Sequence, residues 1–139
     1  MQALYTASAT AVGGRSRSIR ASDGVLDPKL AYPKELGGPG GPATNLEQLF
    51  AAGYAACFEN ALPRVARERK QLIRESSITA NVAIGRNDQG FFELAVGHEV
   101  SLPDRDKAEI QELANIAHAE VCPYSRATRG NIEVKVRVI

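Results

Sequence analysis

The 139-residue chain, 14.9 kDa, has room for one domain of ordinary size. With 44% hydrophobic and 24% charged residues it has the composition of a soluble protein able to bury a real core. Its 17 Lys and Arg nearly cancel 16 Asp and Glu, and the formal charge of +1 excludes a broad positive field for gathering nucleic acid.

Residues 2–12 mix small, β-branched and aromatic side chains and stop at Gly13-Gly14, which predicts a strand entering a turn, with residues 15–22 returning as a second strand. Asp23-Gly24, followed by Val25 and Leu26, is a hairpin dipeptide, so a small antiparallel meander is expected at the start of the chain. From Pro33 to Pro42 the glycines and prolines allow neither a helix nor a central strand and read as a surface loop. Thr44-Asn45-Leu46-Glu47 is an S/T-x-x-E helix start, and apolar positions 46, 49, 50, 53, 54, 57, 61 and 65 recur at helical spacing. Gly53, with Ala51, Ala52, Ala55 and Ala56, leaves the middle of this helix slim enough for another element to approach closely. Pro63 predicts a kink or a break before a solvated basic tail of Arg64, Arg67, Arg69 and Lys70. Residues 77–84 and 91–102 read as a hairpin about Asn87 to Gly90, and residues 104–121 as a second helix ended by Pro123 with Cys122 at its exit. Ile132, Val134, Val136 and Val138 alternate with charged residues as a half-buried strand. The order strands, helix, strands, helix, strand predicts an α+β fold, one domain over residues 1–139.

No apolar run reaches the roughly 18 residues of a bilayer span, and no compact apolar block follows a basic start, so a soluble cytoplasmic protein with no membrane or nucleic-acid partner is expected. Arg15, Arg17 and Arg20, with no acid before Asp23, form a composition shared with transit peptides; the strand pattern is the preferred reading of that segment.

The two cysteines, Cys57 and Cys122, form neither a dense disulfide scaffold nor a four-ligand zinc pattern. Cys57 lies on the apolar stripe of the long helix, where burial favours the neutral thiol and where a cysteine ordinarily serves as a small hydrophobe. Reactivity there requires a fixed cation, for which Arg is better suited than Lys; the candidates are Arg15, Arg17, Arg20 and Arg129. Cys122, at a helix carboxyl end, is the poorer attacker but can resolve a sulfenic acid on a neighbouring cysteine. His118 and Cys122 have the i, i+4 spacing of two ligands on one helix face, but with His98 they complete no metal set, and none is expected. The Gly37 to Gly41 loop lacks the ending of a phosphate-binding loop.

The segment from Ala43 to Phe58, Ala-Thr-Asn-Leu-Glu-Gln-Leu-Phe-Ala-Ala-Gly-Tyr-Ala-Ala-Cys-Phe, resembles the peroxidatic-cysteine helix of the organic hydroperoxide resistance proteins, in the superfamily of osmotically inducible protein C. Val121-Cys122-Pro123-Tyr124-Ser125-Arg126-Ala127-Thr128-Arg129-Gly130-Asn131 resembles the segment carrying that family's second cysteine. Gly13-Gly14-Arg15 and Ser22 to Asp27 resemble its amino-terminal strands, so the likeness covers essentially the whole chain.

The resemblance implies antiparallel sheets packed around two main helices in an intertwined homodimer. It implies a cysteine peroxidase that reduces organic hydroperoxides, lipid-derived ones included, and is recycled by dihydrolipoamide carried on a lipoylated protein, with no bound cofactor or metal. By motif, Cys57 is the peroxidatic thiol, Cys122 the resolving thiol, Arg15 the guanidinium that steadies the thiolate, and Glu47 the carboxylate that orients Arg15. Leu46 stands where the family usually has Pro, and Arg17, where it usually has Gly, is a rival guanidinium. Leu49, Phe50, Tyr54 and Phe58 would suit an alkyl tail better than hydrogen peroxide. On one straight helix Glu47 and Cys57 lie about 15 Å apart along the axis, which favours a site shared across a two-fold interface. A non-enzymatic apolar-ligand module and a sister-branch peroxidase with other substrates are the competing readings.

Overall fold

A computed structural model of the chain describes residues 1–103 and 105–139, in two units, residues 1–49 and 50–139. The element order is the expected α+β succession.

In the first unit β1 (Ala9–Val12) pairs antiparallel with β2 (Ser18–Ala21), Ala9 opposite Ala21 and Val12 opposite Ser18. The chain reverses through Gly13, at φ 72°, where an added Cβ would lie 2.5 Å from Arg17 Cδ, so no side chain fits. β1 is shorter than the predicted strand because a ladder needs a partner: β2 supplies four residues, and residues 2–8 run on exposed beyond it. After Asp23-Gly24 the chain does return along β2. Ala21 N–H donates to the Leu26 carbonyl at 2.8 Å and Leu30 N–H to that of Arg17 at 2.9 Å. Pro28 has no N–H to give, so this third arm of the meander remains a strap rather than a strand. The Pro33 to Pro42 loop is irregular apart from a 3-10 turn over Lys34–Leu36.

The long helix α1 spans Leu46–Glu68. Its cap is Asn45 rather than Thr44: Asn45 Oδ1 accepts from the Gln48 amide at 2.8 Å, while Thr44 Oγ1 donates to Gln48 Oε1. Glu47 is thereby freed from the expected capping box. Pro63 does not break the helix, since Ala61, Leu62, Val65 and Ala66 are buried on either side of it and hold the last turns in place. Arg64, Arg67, Arg69 and Lys70 are exposed, as expected.

In the second unit β3 (Ser77–Arg86) and β4 (Phe92–Ser101) form the predicted hairpin, and β5 (Glu133–Val138) joins β4 in parallel. The register places Ile78, Val100 and Val138 in one cross-strand row and Val82, Val96 and Val134 in another, which gives the sheet one apolar face. Tyr54, Phe58, Leu62 and Val65 of α1 and Ile110, Leu113 and Ala114 of α2 (Lys107–Ile116) close over that face in one core. Each large apolar side chain fully buried there contributes roughly 1.5 to 3 kcal/mol.

The second helix differs from its prediction at both ends. Asp106 caps it by accepting from the Ala108 and Glu109 amides, and Asp104, where it was expected to begin, lies outside the described residues. After Ile116 the backbone widens into a π-turn, Ala117–Val121, closed by Cys122 N–H on the Ala117 carbonyl at 2.9 Å. Pro123 then opens a short third helix, α3 (Pro123–Thr128), at the first helical position, where the missing N–H costs nothing.

His98, 1% exposed in the middle of β4, has neither ring nitrogen bonded among the described residues. Its ring stacks on Phe58 at 4.6 Å and meets the Tyr54 ring edge-on at 4.3 Å. Burial, with a smaller contribution from His118, lowers its pKa from 6.5 to about 4. The unfolded chain therefore binds this proton first, so stability falls as pH drops from 6.5 toward 4. Equilibrium denaturation between pH 7.5 and 4 should give a shallower loss for His98→Phe than for the native chain; equal slopes would contradict the assignment.

Candidate active site

The slim middle of α1 is where the second cysteine arrives. A Cβ on Gly53 would lie 3.4 Å from the Tyr124 ring, so α3 approaches α1 where the side chain is missing, as the small residues had led us to expect. One residue further on, Tyr54, fully buried, donates its hydroxyl to Ser125 Oγ at 3.0 Å and lies 3.0 Å from Thr128 Oγ1. Both partners belong to the buried face of α3. Pinned in this way, the start of α3 carries Cys122 Sγ to 3.5 Å from Cys57 Sγ, with the Cys122 thiol as donor. Cys57 is half-buried and Cys122 is 1% exposed.

Cys122 stands at the exit of one helical segment and also at the N-cap of α3. The expectation that it faces only the negative end of a helix is therefore corrected, because Pro123 starts a helix as well as ending one. Burial raises the Cys57 pKa above its ordinary value; the Tyr124 backbone N–H acts to lower it, and Cys122 adds to the rise. Taken as a single chain, the sulfur stays neutral at pH 7.

Among the four candidate cations, Arg15 is the one both part-buried and held by a carboxylate at hydrogen-bond distance. Its Nη1 donates to both oxygens of Glu47, at 2.8 and 2.9 Å, and its guanidinium lies 5.6 Å over the Tyr32 ring. Nη1 is the only one of its three nitrogens hydrogen-bonded among the described residues, so Nε and Nη2 remain for another acceptor. Arg17 is exposed, Arg20 makes an exposed 3.6 Å pair with Asp27, and Arg129 donates to the His118 carbonyl. Arg15 and Arg17, rivals in the sequence, thus differ in burial and in the carboxylate that holds Arg15.

Of the apolar residues expected to receive substrate, Leu49 and Phe50 are half-buried, whereas Tyr54 and Phe58 are fully buried in the core. The exposed aromatic surface here belongs to Tyr124, 42% exposed, whose ring centroid is 6.5 Å from that of Phe50. Sequence reasoning missed Tyr124; its signal was Pro123, a first-turn residue of the helix that aims the Tyr124 amide. His118 Nδ1 bonds Ser125 Oγ at 3.0 Å, and no three His, Cys, Asp or Glu side chains cluster as metal ligands among the described residues. A concavity of about 290 Å³ lined by Leu72, Ile73, Arg74, Leu102 and Arg105 holds neither cysteine.

A family model for OsmC-like proteins matches residues 38–137. The organic hydroperoxide resistance protein of Xanthomonas axonopodis pv. citri (strain 306) is 54% identical over 132 residues, 94% of this chain and 92% of that protein. The crystal structure of the organic hydroperoxide resistance protein OhrB of Bacillus subtilis matches with a TM-score of 0.89 at 46% identity, over 99% of this chain and 100% of that one. An organic hydroperoxide resistance protein of Vibrio cholerae, solved with captopril in one of its active sites, matches with a TM-score of 0.90 at 48% identity, over 99% and 94%.

Gly53→Leu should lift Tyr124 and slow diamide-driven closure of the Cys57–Cys122 pair by about tenfold or more, the scale expected for an ångström of misplacement. Thiol titration against time checks this; closure at the native rate would show that the slim surface does not set the sulfur contact.

Proposed function

The chain belongs to the OsmC-like family, and from that membership we propose that it is a thiol peroxidase reducing organic hydroperoxides, lipid-derived ones included, and so giving resistance to them. The observation that carries the proposal is the 3.5 Å approach of the Cys122 sulfur to that of Cys57. The Cys57 thiolate attacks one peroxide oxygen; the O–O bond breaks, the alkoxide takes a proton and leaves as the alcohol, and Cys57 becomes a sulfenic acid. The Cys122 sulfur then displaces hydroxide, which leaves as water with the Cys122 proton, and a disulfide remains. Two thiols of dihydrolipoamide, carried by a lipoylated protein, reduce the disulfide and become the lipoamide disulfide. We assign the enzyme to the cytoplasm; no helix among the described residues is long and apolar enough to cross a membrane.

The attack requires a charged sulfur and a donor for the departing oxygen, and one guanidinium meets both needs. Arg15, oriented by Glu47 and with two nitrogens uncommitted among the described residues, is suited to that role. Glu47 and Cys57 are ten positions apart on an uninterrupted α1, about 15 Å along its axis. We therefore assign the Arg15–Glu47 pair of one copy to the Cys57 of another across a two-fold homodimer interface. Leu49 and Phe50, half-buried, supply the apolar surroundings that favour a bulky peroxide over hydrogen peroxide, while Tyr54 and Phe58, fully buried, pack in the core rather than meeting it.

A second reading, an apolar-ligand module with an inert thiol, is favoured by the raised pKa of Cys57 within one chain. Alkylation separates the two: in the assembled protein Cys57 should react at pH 6 well ahead of free cysteine, and parity would support the inert thiol. One equivalent of cumene hydroperoxide should remove two hydrogens from the intact mass, while the Cys122→Ser chain should gain one oxygen; an unchanged native mass would end the peroxidase reading. Mixing Cys57→Ser with Glu47→Ala chains should restore part of the activity through heterodimers, and no recovery would refute the shared site.

A further inference from the structure

We propose that His118, acting through Ser125 and Tyr54, is a positioning residue that terminates a directed hydrogen-bond chain holding the first turn of α3, and with it Cys122 and the Tyr124 amide, over Cys57. Its catalytic consequence rests on the peroxidase reading; its geometric consequence does not.

His118 sits in the π-turn before Cys122 and Ser125 on the helix after it, so their contact, Nδ1 to Oγ at 3.0 Å, brackets the cysteine. Each hydroxyl in the chain has one proton to give. Tyr54 donates its proton to Ser125 Oγ. The proton of Ser125 is left for His118 Nδ1, which accepts it as a neutral ring protonated at Nε2. Thr128 Oγ1 lies 3.0 Å from both the Tyr54 hydroxyl and the Tyr124 carbonyl and gives its one proton to one of them. Tyr54 and Ser125 are 0% exposed and Thr128 is 7%, so water does not substitute for a lost partner.

The groups facing His118 favour this polarity. Burial and then the Arg129 guanidinium, which bonds the His118 carbonyl, hold the ring below the ordinary histidine range, and His98 of β4 is the other titratable group that senses it. A neutral ring allows Nδ1 to accept, and the Tyr54 proton already directed at Ser125 Oγ favours the tautomer in which Ser125 donates onward to it. Cys122 and Tyr124 lie three positions and one position before Ser125, and they present to Cys57 the thiol at 3.5 Å and the amide that lowers its pKa. Removing the acceptor at position 118 frees Ser125 to turn away, and both groups withdraw together.

Four variants test this: His118→Leu, which removes the acceptor; His118→Asn, which returns one near the place of Nδ1; Ser125→Ala; and Tyr54→Phe. In His118→Leu, Ser125→Ala and Tyr54→Phe, disulfide closure by diamide and after one equivalent of cumene hydroperoxide should slow about tenfold, with more sulfenic acid trapped by dimedone. The iodoacetamide profile of Cys57, read by peptide mapping, should shift along the pH axis, since loss of the Tyr124 amide acts to raise the pKa and withdrawal of Cys122, the titratable side chain facing it among the described residues, acts to lower it. His118→Asn should recover most of both readouts. Native closure rates and an unmoved profile in folded His118→Leu overturn the proposal, as does an Asn variant as defective as Leu, which would mean packing alone. If His118→Leu fails to fold, Ser125→Ala, which deletes one oxygen, decides by the same criteria. Should the native protein ignore hydroperoxide, the peroxidase reading fails, while the diamide and alkylation arms still decide the positioning role.

Discussion

Two sulfurs 65 positions apart meet at 3.5 Å because α1 has no bulk where α3 lands on it. Gly53 removes the side chain that would hold the Tyr124 ring away, and Tyr54 immediately after it holds two hydroxyls of α3 from within the core. Tyr54 serves both sides of this contact. Its ring packs against Phe50 and His98 beneath, while its oxygen is the fixed point to which the cysteine-bearing turn is tied. The sulfur geometry thus depends on core packing, which is stiff, and on a few buried hydrogen bonds, which are directional.

The same burial that fixes the sulfurs works against their chemistry. Apolar surroundings favour the neutral Cys57 thiol, and the single backbone amide directed at it offsets only part of that effect. Yet a poorly hydrated sulfur responds more strongly to a cation than an exposed one, because the interaction is less screened. A guanidinium suits this environment because it stays charged and is weakly hydrated. Arg15 adds a further property: one carboxylate on one of its nitrogens fixes its orientation without using its remaining donors. On the proposed reading, a thiol neutral in an isolated chain and charged beside such a group is protected from stray oxidants until the site is complete.

Most of the fold was legible because its signals are local. Alternation marked β4 and β5, apolar spacing marked α1, and turn residues marked the hairpin loop. The sequence also showed the slim surface at Gly53, though not that Tyr124 would occupy it. What it did not show depended on partners distant in the chain. Thr44 and Asn45 both make good caps, and Glu47 left the capping box because Arg15, 32 positions away, competes for it. Pro28 turned a strand into a strap by lacking one hydrogen. The π-turn before Cys122 has no sequence period of its own, and Pro123 is as compatible with opening a helix as with ending one. The resemblance proposed roles for Cys57, Cys122 and Arg15 that the residues alone left open, and added Glu47.

The π-turn also decides which sulfur has freedom to move. A bond between the two requires about 1.5 Å of approach from their present separation, since disulfide sulfurs lie near 2.0 Å. Cys57 sits in the middle of a 23-residue helix whose neighbouring residues Tyr54, Phe58 and Ala61 are buried, so moving it would disturb the core. Cys122 sits at a joint, held behind by an i to i−5 hydrogen bond of the π-turn and ahead by the start of a six-residue helix. A joint of this kind can rotate a few backbone dihedrals without breaking a ladder. The more deeply buried of the two cysteines sits between two helical segments, so the remaining approach can come from that joint while Ser125 and Thr128 stay tied to Tyr54.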